Sequence, residues 1–495
     1  MTFQNLTKSN ITNIHMETNV NQKVPLSYKF VSVLLWVLFA SGLLFLVLNF
    51  GNMPKLEIGE MLRINSFSIL ICTTVVFFSA VVTSYAAKYL NGFRYQNQFL
   101  IYCLCFTASV ILLVVSNHIL LLLFSWLVMG IFMSRLIGIN KEWGEAREAS
   151  KFTLKYFLTG TLFLTGGVLL PAFYSNAFTV EELTLVAAQL PMLIIIPSAL
   201  LIIAAAIVQS AMYPFHRWLL SAMTAPTPAS ALMHAGFVNG AGILLALFAS
   251  LLFASNTLDL LFIIGGLTAI IAQFTKLLQI NVKHKLACST IAQMGFMIMQ
   301  CGLGFFNAAV AHLILHGFYK AYLFLSSGEE VVQTNPQKSL QLKIKPLQAI
   351  VVLIFGILGA FLFAIWTGKG SSLDSGIFLT LIVAITVGQA TYNIVKEGSL
   401  STLQKIMVMP VLFVIGIGLY ALMYNAVTVL MADLPMTASA APLSVTQITF
   451  GIIFLIGFFV MKLGGYQKLP WVYVKLMNLS QPNKKTILMY KSKSI

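Results

Sequence analysis

Long apolar runs, each about the width of a bilayer, alternate with short polar connections along almost the whole chain. A helix rises about 1.5 Å per residue, so roughly 20 apolar residues cross the hydrocarbon layer. Such runs fall near 28–49, 64–87, 99–116, 118–139, 152–175, 192–213, 227–253, 259–280, 286–306, 307–327, 346–368, 376–396, 406–431 and 446–463. None shows the short period-two alternation of a barrel strand. The pattern predicts an all-α polytopic membrane protein of about fourteen transmembrane helices. Abutting runs such as 286–306 and 307–327 read as tight hairpins. Residues 1–27 read as a flexible polar tail without the apolar core of a cleavable signal. Residues 28–463 form the membrane domain, and 464–495 a basic tail.

Composition agrees: 59% of the 495 residues are hydrophobic and 9% charged, where a soluble domain carries about 25% charged residues. The net charge of +16 is distributed by side, not by nucleic-acid patch. With the N-terminus cytoplasmic, external loops hold only Lys55, Arg63 and Lys369 among the bases. They also hold Glu57, Glu60, Glu181, Glu182, Asp259, Asp374 and Asp433. That bias fits an even number of spans with both termini on the cytoplasmic side. Every acid then lies in a loop or at a span end, so no glutamate-centred ion site is visible. The five cysteines sit in apolar runs without zinc spacing, so neither a disulfide nor a metal is expected.

Two places break the apolar pattern. In Gln209–Gly242, QSAMYPFHRWLLSAMTAPTPASALMHAGFVNGAG, Pro214 interrupts a span and His216 and Arg217 follow at once. Pro226 and Pro228 make a second break, after which the apolar phase resumes carrying His234 among small residues. Proline at membrane depth frees carbonyls that protein or water must satisfy. Ionisable groups at that depth commonly mark an ion path. Gln209 lies one turn before Pro214 and could serve water in the gap. Arg217 reads equally as an interfacial anchor, Lys276 as a snorkelling base, and Lys283 as an ordinary loop charge.

The second place is 307–327, where His312, His316 and Lys320 follow at steps of four. That spacing stacks them on one helix face. Histidine titrates near neutrality, so such a stripe can hand protons through intervening water. The bland alternative is structural hydrogen bonding, with Lys320 snorkelling to an interface. No phosphate loop, dinucleotide turn or nucleophile elbow occurs in a credible context. Energy must then come from an ion gradient or a partner.

The stretches PFHRWLLSAMTAPTPASALMHAGFVNGAG and VKHKLACSTIAQMGFMIMQCGLGFFNAAVAHLILHGFYKAYLFLSSG resemble the antiporter-like subunits of respiratory complex I and Mrp antiporters. Their wording is most similar to DabB-like membrane subunits of DAB inorganic-carbon accumulation complexes. The resemblance implies two inverted five-helix repeats, each with one broken helix: 192–222 around Pro214, and 346–373 around Trp366–Gly370. It implies relay roles for His234, His312, His316 and Lys320. The family's glutamate after a tryptophan falls at Leu127 after Trp126. The first broken-helix lysine falls at Gln209, and the second is placed at Lys369. Losing the glutamate–lysine pair leaves a reduced relay. The resemblance further implies a prokaryotic inner-membrane location and a large soluble partner, DabA-like, with a β-carbonic-anhydrase-like zinc site. Cation flux here would drive hydration of CO2 to bicarbonate there, with no cofactor and no catalysis in this chain. The alternatives are a complex I or Mrp-like antiporter subunit and a scaffold with a vestigial relay.

Overall fold

The computed structural model describes residues 24–328, 346–370, 374–397, 402–436, 442–462 and 469–487. It is almost wholly helical. Helix α1 (Leu26–Leu48) leads into a hairpin of β1 (Leu56–Ile58) and β2 (Leu62–Ile64). Then come α2 (Ser66–Tyr89), α3 (Gln96–Val115), α4 (Ile119–Ile137), α5 (Gly144–Ser175) and the short α6 (Val180–Val186). The central elements are α7 (Met192–Gln209), α8 (Arg217–Ser221), α9 (Thr227–Ala235), α10 (Gly240–Leu247) and α11 (Ala249–Ala254). Next are α12 (Leu258–Leu277), α13 (Val282–Gly302), α14 (Phe306–Ser327) and α15 (Pro346–Thr367). The chain closes with α16 (Gly376–Glu397), α17 (Thr402–Leu430), α18 (Val445–Lys462) and α19 (Pro470–Leu479).

Each of the fourteen apolar runs is occupied by helix. Ten helices among the described residues are long and apolar enough to cross a membrane, and three shorter apolar stretches lie in α15, α16 and α18. The connections after alternate helices meet one another. Asn117 N–H donates to Met61 O at 2.9 Å and Val180 N–H to Asn117 O at 2.7 Å. Lys55 pairs with Asp433 at 3.2 Å and Arg63 with Glu181 at 3.5 Å. Ser375 Oγ donates to Leu303 O at 3.1 Å. At the other end the α2–α3 and α4–α5 connections meet, where Arg94 pairs with Glu142. Where the connections are described, successive helices therefore alternate in direction.

Packing is closest between α12 and α13. A Cβ at Gly265 would come within 2.6 Å of Met299 N, and one at Gly295 within 2.6 Å of Ala269 N. Glycine at both points lets the backbones touch, the small-residue contact that favours association in lipid. Large apolar side chains stand exposed along α1 (Leu26, Val33, Leu48), as a lipid-facing helix requires. The 1–27 tail expectation falls mainly on residues outside those described. Of the 464–495 tail, α19 and the turn 484–486 are folded against the bundle.

Candidate functional site

The site is assembled where two helices lose their regular ladder side by side. Helix α7 stops at Gln209; Ala211 adopts φ +52°, the Tyr213–Pro214 bond is cis, and α8 resumes at Arg217. Beyond Pro226, α9 begins with Pro228 in its first turn, where a missing N–H costs no helical bond. The break after His234 has no counterpart in the sequence pattern. There α9 ends, a 3-10 turn spans Phe237–Asn239, and α10 restarts at Gly240.

The two interruptions satisfy one another. Gln209 Nε2 donates to Phe237 O at 2.9 Å, and Ser210 Oγ donates to Val238 O at 2.7 Å. Trp218 Nε1 turns back to Val208 O at 2.8 Å. Asn239 Nδ2 donates to Ala235 O and, at 3.2 Å, to Leu313 O on α14. Buried backbone polar groups must be paired, and here side chains do the pairing. Gln209 thus sits in the break as a brace for a freed carbonyl.

Against this junction lies α14 with His312, His316 and Lys320, all buried. His312 Nε2–H donates to Gln293 Oε1 of α13 at 3.1 Å. Its ring centre is 6.2 Å from that of His316. Lys320 is fully buried, and Nζ donates to Leu286 O at 3.1 Å. From α9, His234 stacks on Phe324 at 4.2 Å. His316 is near enough to feel the charges of Lys320, His312 and His234. Gly317 permits the approach of α9, since a Cβ there would meet Ala235 O at 3.0 Å and Phe78 Cζ at 2.5 Å.

Both ring nitrogens of His234 and of His316 are buried without a protein partner. Buried polar atoms are rarely left so. Polar gaps with several unmet groups are where buried water belongs. Among the described residues no Asp or Glu is fully buried, so the cluster has no acidic counterion inside the core. Chemically it can accept, hold and pass protons. It offers no nucleophile–base pair, and among the described residues there is no group of three metal-ligating side chains.

Other expected residues lie apart. Helix α15 runs unbroken to Thr367, and Gly368 and Gly370, at φ +67° and +79°, shape the turn that ends it. Lys369 therefore belongs to a loop, its Nζ 5.6 Å over the Phe305 ring at the opposite end of α14 from Lys320. His216 is buried in the turn after Pro214 and bonds through Nε2 to Leu479 O at 2.8 Å. Lys283 is not a plain loop charge: its Nζ closes the α8–α9 turn by donating to Ala225 O at 2.9 Å. Lys276 lies close enough to Lys320 for their charges to interact.

Sequence reasoning missed Gln300 and Tyr420. Gln300 Nε2 donates to the Tyr420 hydroxyl at 3.1 Å, and the Tyr420 ring stands edge-on to His312 at 6.4 Å. Their only signal was a polar side chain in each of two apolar helices.

Comparison with known proteins bears on this arrangement. A probable inorganic carbon transporter subunit DabB from Bacillus anthracis is 35% identical over 312 residues, covering 60% of this chain and 59% of that one. A probable DabB2 subunit from Halothiobacillus neapolitanus is 30% identical over 419 residues, covering 82% and 76%. Several such relatives are matched over only 50–59% of their own length. The Mrp complex from Dietzia shares the fold at TM-score 0.61, with 19% identity over 92% of this chain and 57% of the matched one. The resemblance to DabB read from the central stretches thus holds over most of the chain. Residues 116–395, more than half its length, match the family described as "NADH:quinone oxidoreductase/Mrp antiporter, TM", and the chain belongs to that family.

Proposed function

We propose that this chain is the cation-translocating membrane subunit of an inorganic-carbon accumulation system, with the proton as the cation. The observation that supports it is the buried cluster of His234, His316, His312 and Lys320, with five ring nitrogens that have no protein partner and, among the described residues, no buried carboxylate. A neutral imidazole can take a proton on one nitrogen and release one from the other. Lys320 would load or unload the stripe at one end and His312 at the other. His234 joins from α9 through the water that its open nitrogens call for. Leu127 and Gln209 stand where the wider family carries its glutamate and first lysine, so the relay works on imidazoles and one lysine. Lys369 has no part in it.

The chemistry on carbon would belong to a soluble partner with a zinc site of carbonic-anhydrase type. The similarity to proteins named inorganic carbon transporter subunits supports that assignment. Both termini would face the partner's side of a prokaryotic cytoplasmic membrane. The second reading, an antiporter subunit of complex I or Mrp type, draws on the shared fold. It is weakened because Gln209 spends its amide on Phe237 O.

The test is growth in air of a carbonic-anhydrase-deficient strain carrying this chain and the protein encoded beside it. Rescue is expected with the native pair and not with His316→Ala, which removes no protein hydrogen bond. Failure of the native pair to rescue sinks the carbon reading. Full rescue by His316→Ala makes the relay vestigial.

A further inference from the structure

The C-terminal segment is fastened over the broken helix. His216 bonds to Leu479 O at 2.8 Å and Arg217 Nη2 reaches Asn478 O at 3.4 Å. Ser221 Oγ accepts from Asn483 N–H at 3.1 Å and shares a hydrogen with Thr486 Oγ1 at 2.9 Å. Gln279, in the α12–α13 turn, donates to Ser480 O at 3.1 Å. Ser480, Thr486, Ser221 and His216 are all buried by the contact. None of these bonds joins two charges, and each ends on a backbone group or a hydroxyl, so each is of modest strength.

Beneath the segment a file of polar groups leads inward. The His216 and Tyr213 rings lie 3.9 Å apart. The Tyr213 hydroxyl shares a hydrogen with Thr275 Oγ1 on α12 at 3.3 Å. The α12–α13 register that sets Gly265 against Met299 and Gly295 against Ala269 brings Cys288 of α13 beside Thr275. Cys288 follows two residues after Leu286, whose carbonyl accepts from Lys320 Nζ at 3.1 Å. Thr275 and Cys288 are almost fully buried. In an apolar bundle, a hydroxyl, a hydroxyl and a thiol placed end to end between a buried lysine and a surface break are what a proton limb needs.

We propose that Tyr213, Thr275 and Cys288 form the limb between Lys320 and the α7–α8 break, and that residues 478–486 are a removable cap on its mouth. The inference rests on the proton relay proposed above. Each group in the file accepts one proton on its heteroatom and releases another, so no charge accumulates. With the cap seated, His216 and Ser221 are buried and the limb's outlet is narrowed. With it lifted, water reaches Tyr213.

The experiment uses the full chain in vesicles, with proton flux read by an enclosed pH dye under an imposed potassium diffusion potential. Ser221→Cys with Thr486→Cys places two thiols where the hydroxyls now touch. Oxidation should bring flux down to that of protein-free vesicles, and reduction should restore it. The native chain serves as the oxidation control. Thr486→Val, which loosens the cap, should raise flux. Tyr213→Phe keeps the ring against His216 but should lower flux about tenfold or more, with an altered solvent deuterium effect. Undiminished flux through the cross-linked protein overturns the cap, and normal flux in Tyr213→Phe overturns the limb. If Lys320→Met also conducts normally, or the native chain carries no flux, it is the underlying relay that fails.

Discussion

Lys320→Met separates a working lysine from a structural one because the two roles predict opposite changes in stability. The ammonium is fully buried and makes one hydrogen bond, to Leu286 O at 3.1 Å. A bond from a charged donor returns about 1.5–3 kcal/mol. Taking the ammonium out of water costs several kcal/mol. No buried carboxylate offsets that cost among the described residues, and Lys276 adds a like charge nearby. Methionine has a similar length and fills the same slot with apolar atoms. Leu286 O is not orphaned by the change, since Thr290 Oγ1 also donates to it at 3.1 Å. The substitution should therefore be neutral or stabilising by about 1–4 kcal/mol, the range seen when buried charges give way to apolar groups. Proton flux should vanish. Unfolding of the purified protein in mixed micelles measures the first quantity and vesicle flux the second. A loss of more than about 1 kcal/mol together with retained flux would make Lys320 a brace and refute the reasoning.

Two further substitutions test the scaffold. Gln209→Leu keeps side-chain bulk but strips Phe237 O of its donor, and should cost about 1–3 kcal/mol in the same unfolding assay. Flux per folded molecule should persist; lost flux at unchanged stability would return Gln209 to the relay. Gly317→Ala sets a methyl 2.5 Å from Phe78 Cζ and 3.0 Å from Ala235 O. It should destabilise by about 1–3 kcal/mol and lower flux by moving His234 away from His316. Native stability and flux in that variant would show that the α9–α14 contact is looser than these distances imply.

The fold was legible because hydropathy reports burial in lipid directly. Each apolar run became helix, and loop charges that the pattern assigns to one side do meet there, as Lys55 meets Asp433. The stripe was legible because i, i+4 and i+8 is a property of the helix itself. What the sequence hid depended on contacts between distant segments. Nothing in the local pattern shows that the ladder fails after His234, because Gly236–Asn239 would also fit an unbroken helix among small residues. Trp366–Gly370 offered the converse error. Two glycines beside a lysine look like an interruption, yet they end α15 and leave Lys369 over Phe305.

Gln209, standing where the family resemblance implies a lysine, connects these observations. A lysine in the α7 break would bring a charge to freed carbonyls; Gln209 instead brings a neutral donor that pins α7 to the 3-10 turn after His234. With Ser210 and Asn239 it makes the junction of α7, α9 and α14 a set of neutral, directional bonds. Such bonds fix geometry without competing electrostatically with the neighbouring stripe. Among the described residues the one fully buried lysine or arginine left at the junction is Lys320. In the proposed relay the residues that exchange a proton with it come from α9, α12, α13 and α14. A relay built this way has its charge at one end and its imidazoles spread from there. Its behaviour should then be set by how Lys320 reaches solvent, which makes the break and whatever covers it the controlling element.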